Sequence, residues 1–313
     1  MSLNVSNLTT WNDETSSGLV KEILLKATTI NGADLVSKRY GLKGNTVKLN
    51  TLKSTINASS VLCGFVATGS TILNQASLDL CPIKFQDSIC LETLEQYWYS
   101  YEMDKQYNTE SLGSFESMFL DNKTEYIAKE LDKIAWRGAK SATAYVAGLT
   151  GNLLLCDGFL QNAAELSAST VNVTKTALTV SNAYAVVDAI LANVPAEIIE
   201  DVTLFMSPAD FQIYLTSLRG LNLFNYNTES KGVEAINHPG SIGLTVKRTN
   251  GLAGVASGTF LATAKDNIVL GISDASDLDF KTWYSQDNQE LRLSAKIKMG
   301  TSFFFPELVV RVA

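Results

Sequence analysis

Residues 114–140, SFESMFLDNKTEYIAKELDKIAWRGAK, constrain the fold of this chain more than any other stretch. Phe115, Met118, Phe119, Tyr126, Ile127, Leu131, Ile134 and Ala135 recur at three- and four-residue steps, which is the apolar stripe of a helix. The other face carries Asp121, Lys123, Glu125, Lys129, Glu130, Asp132 and Lys133. Ser114 suits an N-cap, Glu116 puts negative charge at the positive end of the helix dipole, and Glu125 precedes Lys129 by one turn in the favourable orientation. Gly138 ends the pattern. At 1.5 Å per residue the helix is about 35–40 Å long, a strut along which the rest must be arranged.

With 313 residues, 46% hydrophobic and 18% charged, the chain has material for about two domains and a large core. A net charge of −7 argues against a dedicated nucleic-acid binder, whose footprint is basic. The first fifteen residues lack the apolar core of a secretory leader, and no run of eighteen apolar residues predicts a membrane helix. Cys63, Cys81, Cys90 and Cys156 form no CxxC pair, so free, mostly buried thiols in a reducing compartment are expected rather than disulfides.

The segments around the strut alternate in character. Residues 1–12 read as a loose arm, and Asp13 and Glu14 open a short helix. Residues 46–85 read as a long β-ribbon, with Val47, Leu49 and Leu52 set against Lys48, Asn50 and Lys53. Two strands alone are marginal in water, so the ribbon must rest on something else. A helix capped by Asp87 or Ser88 is predicted over 87–103, and short strands around 144–146 and 153–156. Residues 181–220 are the clearest α/β unit: a helix from Asn182 to Pro195, a strand over 201–206, then Ser207-Pro208-Ala209-Asp210 as a helix start. Residues 221–241 form a long irregular loop, the kind that is functional or a contact surface. Near the end, Leu291, Leu293, Ala295, Ile297 and Met299 share one strand face and Glu290, Arg292, Ser294, Lys296 and Lys298 the other, until Gly300 breaks the strand.

Chemistry is hard to find. His238 is the only histidine, and a solvated loop residue is expected there rather than a catalyst. There is no GxSxG elbow, Walker motif, GxGxxG or HExxH. Asp274, Asp277 and Asp279 fit no calcium loop and read as turn acids. Lys281, Arg292, Lys296 and Lys298 make a small basic face, expected to be solvated or paired between subunits rather than turned to a polyanion. No catalytic, cofactor-binding or metal-binding residue is named, and the chain is expected not to be an enzyme.

The order of elements resembles the major capsid proteins of tailed bacteriophages, the Hong Kong 97 type head fold. The resemblance is carried by the arm, the ribbon, LDKIAWRG closing the strut, VTLFMSPADFQIYL, and NIVLG followed by the terminal hairpin. It implies an α+β fold with an N-terminal arm at 1–44 and an extended loop at 45–85. The peripheral domain would be 86–176 and 264–313 around a spine helix, the axial domain 177–263, with the last strand able to rejoin the axial sheet. The implied function is a virion shell subunit that assembles into pentamers and hexamers around double-stranded DNA, in the cytoplasm of a bacterial host. Implied partners are other copies of the chain, a portal, a separate scaffolding or decoration protein, and packaged DNA without sequence specificity, but no membrane. No cofactor is implied. An encapsulin-type nanocompartment shell enclosing cargo enzymes is the alternative.

Overall fold

The computed structural model describes residues 37–42, 44–55, 69–90, 115–140, 149, 151–221, 234–273, 279–288 and 290–312. The arm at 1–12, the Asp13 helix, residues 91–103, the strand candidate at 144–146, Asp274, Asp277 and most of the 221–241 loop lie outside the described residues. In chain order the elements are β1 (Ser37–Leu42), β2 (Thr46–Thr55), β3 (Ser70–Asp79), β4 (Cys81–Cys90), α1 (Phe115–Arg137), α2 (Phe159–Glu165), β5 (Val171–Val173), α3 (Ala183–Leu191) and β6 (Val202–Met206). After them come α4 (Pro208–Gly220), β7 (Ala235–Asn237), β8 (Thr245–Arg248), β9 (Phe260–Ala264), β10 (Ile268–Ser273), β11 (Asp279–Ser285), β12 (Glu290–Phe303) and β13 (Val310–Val312).

Three sheets result. β12 is the axis of a five-stranded sheet, pairing antiparallel with β4, β10 and β11, while β1 adds in parallel beyond β10. A six-stranded sheet runs in the order β5-β13-β9-β6-β8-β7, so the last strand joins a different sheet from the hairpin before it. β2 and β3 form a two-stranded ribbon paired from Thr46↔Asp79 to Thr55↔Ser70.

The alternation over 290–299 decides how the five-stranded sheet packs. Leu293, Ala295, Ile297 and Met299 are buried in one cluster with Ile127, Leu131, Ile134 and Ala135 of α1 and with Phe159 of α2. A one-residue slip of β12 would turn this whole set outward. The strand continues through Gly300 rather than breaking there. A Cβ at that position would lie 2.2 Å from the carbonyl oxygen of Asp79, so glycine lets the β3–β4 corner cross the strand.

α1 confirms the helix and corrects its faces. Tyr126, placed in the apolar stripe by spacing, is exposed. Glu130 and Asp132, placed on the solvent face, are buried, because other segments close around most of the last two turns of the helix and leave only Lys133 and Arg137 half-exposed. Glu130 is satisfied there by Lys133 at 2.7 Å and Asn152 at 3.4 Å. Earlier along the helix, Lys129 pairs with Glu125 at 2.6 Å, and Lys123 meets Asp87 of β4.

Other expectations change for physical reasons. Residues 87–90 are strand and not the start of a helix, because they complete the β4 ladder against Glu290–Leu293. The ribbon ladder ends at Asp79 instead of 85, since Cys81 onward pairs with β12. Leu52 shares its face with Lys48 and Asn50 rather than with Val47 and Leu49, as the two-residue period of a strand requires. Residues 151–154 form a 3-10 turn, not a strand. Cys81 and Cys156 form a disulfide with Cα atoms 5.7 Å apart, contrary to the expected free thiols. Their positions, 75 residues apart in sequence, are brought together when the end of β4 packs on the segment after α1, and no sequence spacing reveals that. Cys90 is a free, exposed thiol.

In the α/β unit the local signals hold. Ser207 accepts a hydrogen bond from the Asp210 N–H at 3.1 Å and Pro208 occupies the first turn. β6 is buried on both sides. Leu204 and Met206 face a cluster with Val187, Ile190, Phe211, Tyr214 and Leu218, while Phe205 faces the cluster that holds α1. Phe205, Trp136, Phe159 and Phe303 then pack in series with tilted or edge-on rings, centroids 4.9, 5.1 and 5.9 Å apart, and couple the two large sheets. Trp136 fits because residue 251 is glycine: a Cβ there would lie 2.3 Å from the indole ring and 2.6 Å from the carbonyl oxygen of Asp132.

Two measurements check this architecture. Leu293→Asp places a carboxylate in the cluster beneath α1, where it stays charged without compensation or takes up a proton, and loses packing in either case. The expected loss is several kcal/mol out of the roughly 5–15 kcal/mol that hold a domain, read as insoluble protein or a collapsed denaturation midpoint. Replacing Cys81 and Cys156 with serine opens a loop whose closure is worth about 4 kcal/mol on chain-entropy grounds. Non-reducing peptide mapping of the parent should recover the two cysteine-containing peptides joined.

Candidate functional site

Three features stand out, and none is a catalytic pocket. The first is the ribbon. At its root Leu49 and Leu78 are buried against Val269 of β10, and the Ser302 hydroxyl donates to the carbonyl oxygen of Ser77 at 2.9 Å. Farther out the support ends. Leu52 and Leu73 are ladder partners and are 59% and 73% exposed, and Ile72 on the opposite face is 56% exposed. A cleft of about 350 Å³ separates the ribbon from residues 302–307, spanned by a single ion pair of the described residues, Lys53 to Glu307 at 3.3 Å. Among the described residues, the ribbon thus presents uncovered apolar side chains and two edges that pair with no further strand.

The second feature is the outer face of the five-stranded sheet. The register places Arg292, Lys296 and Lys298 of β12 beside Lys281 and Trp283 of β11 and Lys84 of β4. The basic face expected from the sequence therefore exists, and it gains Lys84 and Trp283. Alternation in CPIKFQ turns Lys84 outward, but only the register shows that it meets Lys296.

The third is buried. His238 is 2% exposed, not a solvated loop residue. Its Nδ1 lies 2.7 Å from the Tyr214 hydroxyl of α4 and its Nε2 lies 2.8 Å from the Asp188 carboxylate of α3. A carboxylate only accepts, so Nε2–H donates to Asp188 and Nδ1 is left to accept from the Tyr214 O–H. Tyr184 packs on the imidazole with centroids 4.8 Å apart, and its hydroxyl donates to the carbonyl oxygen of Pro239. Burial pushes the Tyr214 phenol above its ordinary value, helped by Tyr184 and by the negative charge of Asp188. The cluster ties residues 238–241 to two helices. It has no nucleophile, and its histidine nitrogens are both engaged, which suits a structural pin rather than general-base catalysis.

Among the described residues, no group of three His, Cys, Asp or Glu side chains is placed to hold a metal. No helix among them is long and apolar enough to cross a membrane.

No protein-family model matches the sequence, and no curated protein is similar to it. Solved structures are similar in fold. The chain superposes on a subunit of the satellite phage P4 procapsid that includes the size determination protein, with a TM-score of 0.59 at 10% identity, covering 95% of this chain and 98% of that one. It superposes on the capsid of a native gene transfer agent (GTA) particle with a TM-score of 0.53 at 10% identity, covering 91% and 89%. A virus-like particle from Pyrococcus furiosus gives 0.52 at 9% identity, covering 96% and 98%. The chain has the capsid fold of the Hong Kong 97 type, as its element order implied.

The raised Tyr214 value fixes the sign of a pH effect. An unfolded tyrosine loses its proton near pH 10, before the folded Tyr214 does. Below that pH the contribution of Tyr214 to stability is fully present, and it is lost as pH rises toward the folded value. Tyr214→Phe should cost about 1 kcal/mol at neutral pH through the lost hydrogen bond to His238. Relative to the parent, its denaturation midpoint should fall less steeply above pH 10.

Proposed function

We propose that this chain is the repeating subunit of a closed icosahedral shell, a virion capsid that assembles as pentamers and hexamers around double-stranded DNA. One observation carries the reading: a chain with this fold projects a ten-residue ladder whose outer half leaves Leu52, Ile72 and Leu73 uncovered in its own subunit. Leu52, Leu73 and Ile72 lose contact with water only when another copy covers them, and many copies doing so in a ring yield a closed assembly. In this reading residues 45–85 hold the extended loop and α1 is the spine of a peripheral domain made by 86–176 and 264–313. The axial domain is 177–263, its sheet extended by β13 and, beyond it, by β5. A portal and a separate scaffolding or decoration protein are the further partners. The chain's work is mechanical, and no residue is assigned a catalytic role.

Similarity to a virus-like particle keeps a second reading in place, a nanocompartment shell that encloses cargo enzymes. Particles isolated from cells discriminate: nuclease-resistant DNA inside supports the capsid, and a co-purifying enzyme supports the compartment.

Light scattering and electron microscopy of the purified chain should show rings or closed shells. Leu52→Glu with Leu73→Glu should leave the subunit folded, with a parental circular dichroism spectrum, and abolish the larger species. A parent that stays monomeric at high concentration under all salt conditions overturns the proposal.

A further inference from the structure

We propose that Cys81 and Cys156 form a redox latch on the root of the ribbon, closed by a neutral peroxide that enters a cavity beside Cys81 and shielded from anionic thiols by the carboxylates lining that cavity. That the latch stiffens a shell rests on the shell reading; the latch itself rests on the subunit. Cys81 opens β4 directly after the corner where the ribbon leaves the body, and across that corner the Leu80 N–H donates to the carbonyl oxygen of Asn45 at 2.6 Å. Cys156 lies between the end of α1 and the start of α2. β12 holds both residues: Met299 is the ladder partner of Cys81, and the Met299 carbonyl oxygen lies 3.4 Å from Cys156 Sγ. With the bond open, the Cys156 S–H donates to that oxygen, so the thiol form is also accommodated. With the bond closed, the ribbon root is joined to the end of the strut across 75 residues of sequence.

Access decides which reagent reaches the sulfurs. Both cysteines are buried, but Cys81 lines a cavity of about 150 Å³ whose lining includes the exposed Ser77, Asp79 and Glu165, so the cavity opens to solvent. Asp79, Asp157 and Glu165 line it, and no lysine or arginine does. Each of these carboxylates accepts from a neutral donor: the Thr46 hydroxyl, the Lys140 backbone N–H and the Gln161 amide. None is in an ion pair with another described residue. A sphere of that volume is about 7 Å across, less than the Debye length of about 8 Å at physiological salt, so the negative field acts throughout it. The field repels anionic thiols such as glutathione and leaves an uncharged oxidant unhindered. In closing, the Cys81 sulfur, as thiolate, attacks one oxygen of hydrogen peroxide. The O–O bond breaks, leaving a sulfenic acid on Cys81 and a hydroxide that takes up the thiol proton as water. The Cys156 sulfur then attacks the sulfenic sulfur; the S–S bond forms, the S–O bond breaks, and hydroxide leaves as water with the Cys156 proton. Two thiols are oxidised and one peroxide is reduced to two waters. Reopening needs a thiolate inside the same cavity, so the two directions differ in the charge of the reagent they admit.

The test uses full-length subunits, reduced and then freed of reductant, with the cystine counted by non-reducing peptide mapping after alkylation. Hydrogen peroxide should close the bond in nearly every chain; a parent whose Cys81 and Cys156 both stay open to alkylation after unfolding overturns the proposal. The closed protein is then reopened with cysteamine, 2-mercaptoethanol or 2-mercaptoethanesulfonate at equal thiolate concentration. Their thiolates are neutral overall, singly negative and doubly negative. Divided by the rates for the urea-unfolded parent, the rates should fall in that order, by about tenfold from first to last at low salt. Equal corrected rates overturn the shielding. Asp79→Asn with Glu165→Gln should shrink the spread to about threefold, and an unchanged spread overturns the assignment to these carboxylates. Glu165→Gln alone carries this arm, by a smaller narrowing, if the double variant does not fold. Hydrogen exchange over residues 76–84 should slow severalfold on closing; equal exchange in both states overturns the latch. In assembled shells, urea should release closed subunits more slowly than open ones, and equal release overturns the role in the shell. Failure of the shell reading has a different sign: the parent forms no large species in either redox state.

Discussion

The packing of one helix across one strand holds this molecule together. A strand with strict alternation has a fully apolar face and cannot be stable until that face is covered. In β12 the cover is α1, whose Ile127, Leu131 and Ile134 share a cluster with Leu293, Ala295, Ile297 and Met299. Once the strand is fixed in register, its neighbours are fixed with it. β11 aligns along Glu290–Lys296, β4 along Glu290–Met299 and β10 along Met299–Phe303, and β1 follows β10. The disulfide between Cys81 and Cys156 then closes where β4 meets the segment after the helix.

What the sequence shows and what it hides divide along a physical line. Periodicity and caps act over a few residues, so α1, the Ser207 helix start and the faces of β12 are legible. Burial at the end of α1 is not, because Glu130 and Asp132 obey a helical polar face until distant segments close around them. Register between strands far apart in sequence is equally hidden, and with it the meeting of Lys84 and Lys296, the cystine, and the strand over 87–90. His238 misled for a related reason. A polar residue in a Gly- and Pro-containing loop reads as solvated, and only the convergence of α3 and α4 supplies the Asp188 and Tyr214 that make its burial tolerable.

The three notable features share a logic. Around His238 and Glu130 the buried polar groups are paired, whereas the ribbon leaves apolar side chains uncovered and the outer sheet face sets like charges opposite each other. Small costs of this kind persist in a marginally stable protein when something outside the subunit removes them. In the proposed shell, neighbouring copies supply that relief for the ribbon. Structural similarity at about a tenth identity fits a fold specified by patterning and volume more than by particular residues.

That freedom has a boundary at the Trp136–Gly251 contact. The indole fills the joint between the two large sheets, and residue 251 has no room for even a methyl group beside it. The two positions are therefore locked in mutational order. No side chain can enter at 251 while the tryptophan and the Asp132 carbonyl oxygen both stand against it, and a smaller residue at 136 opens a void in the joint yet leaves the carbonyl contact in place. Either first step is a loss, so drift between related sequences must pass around this pair rather than through it.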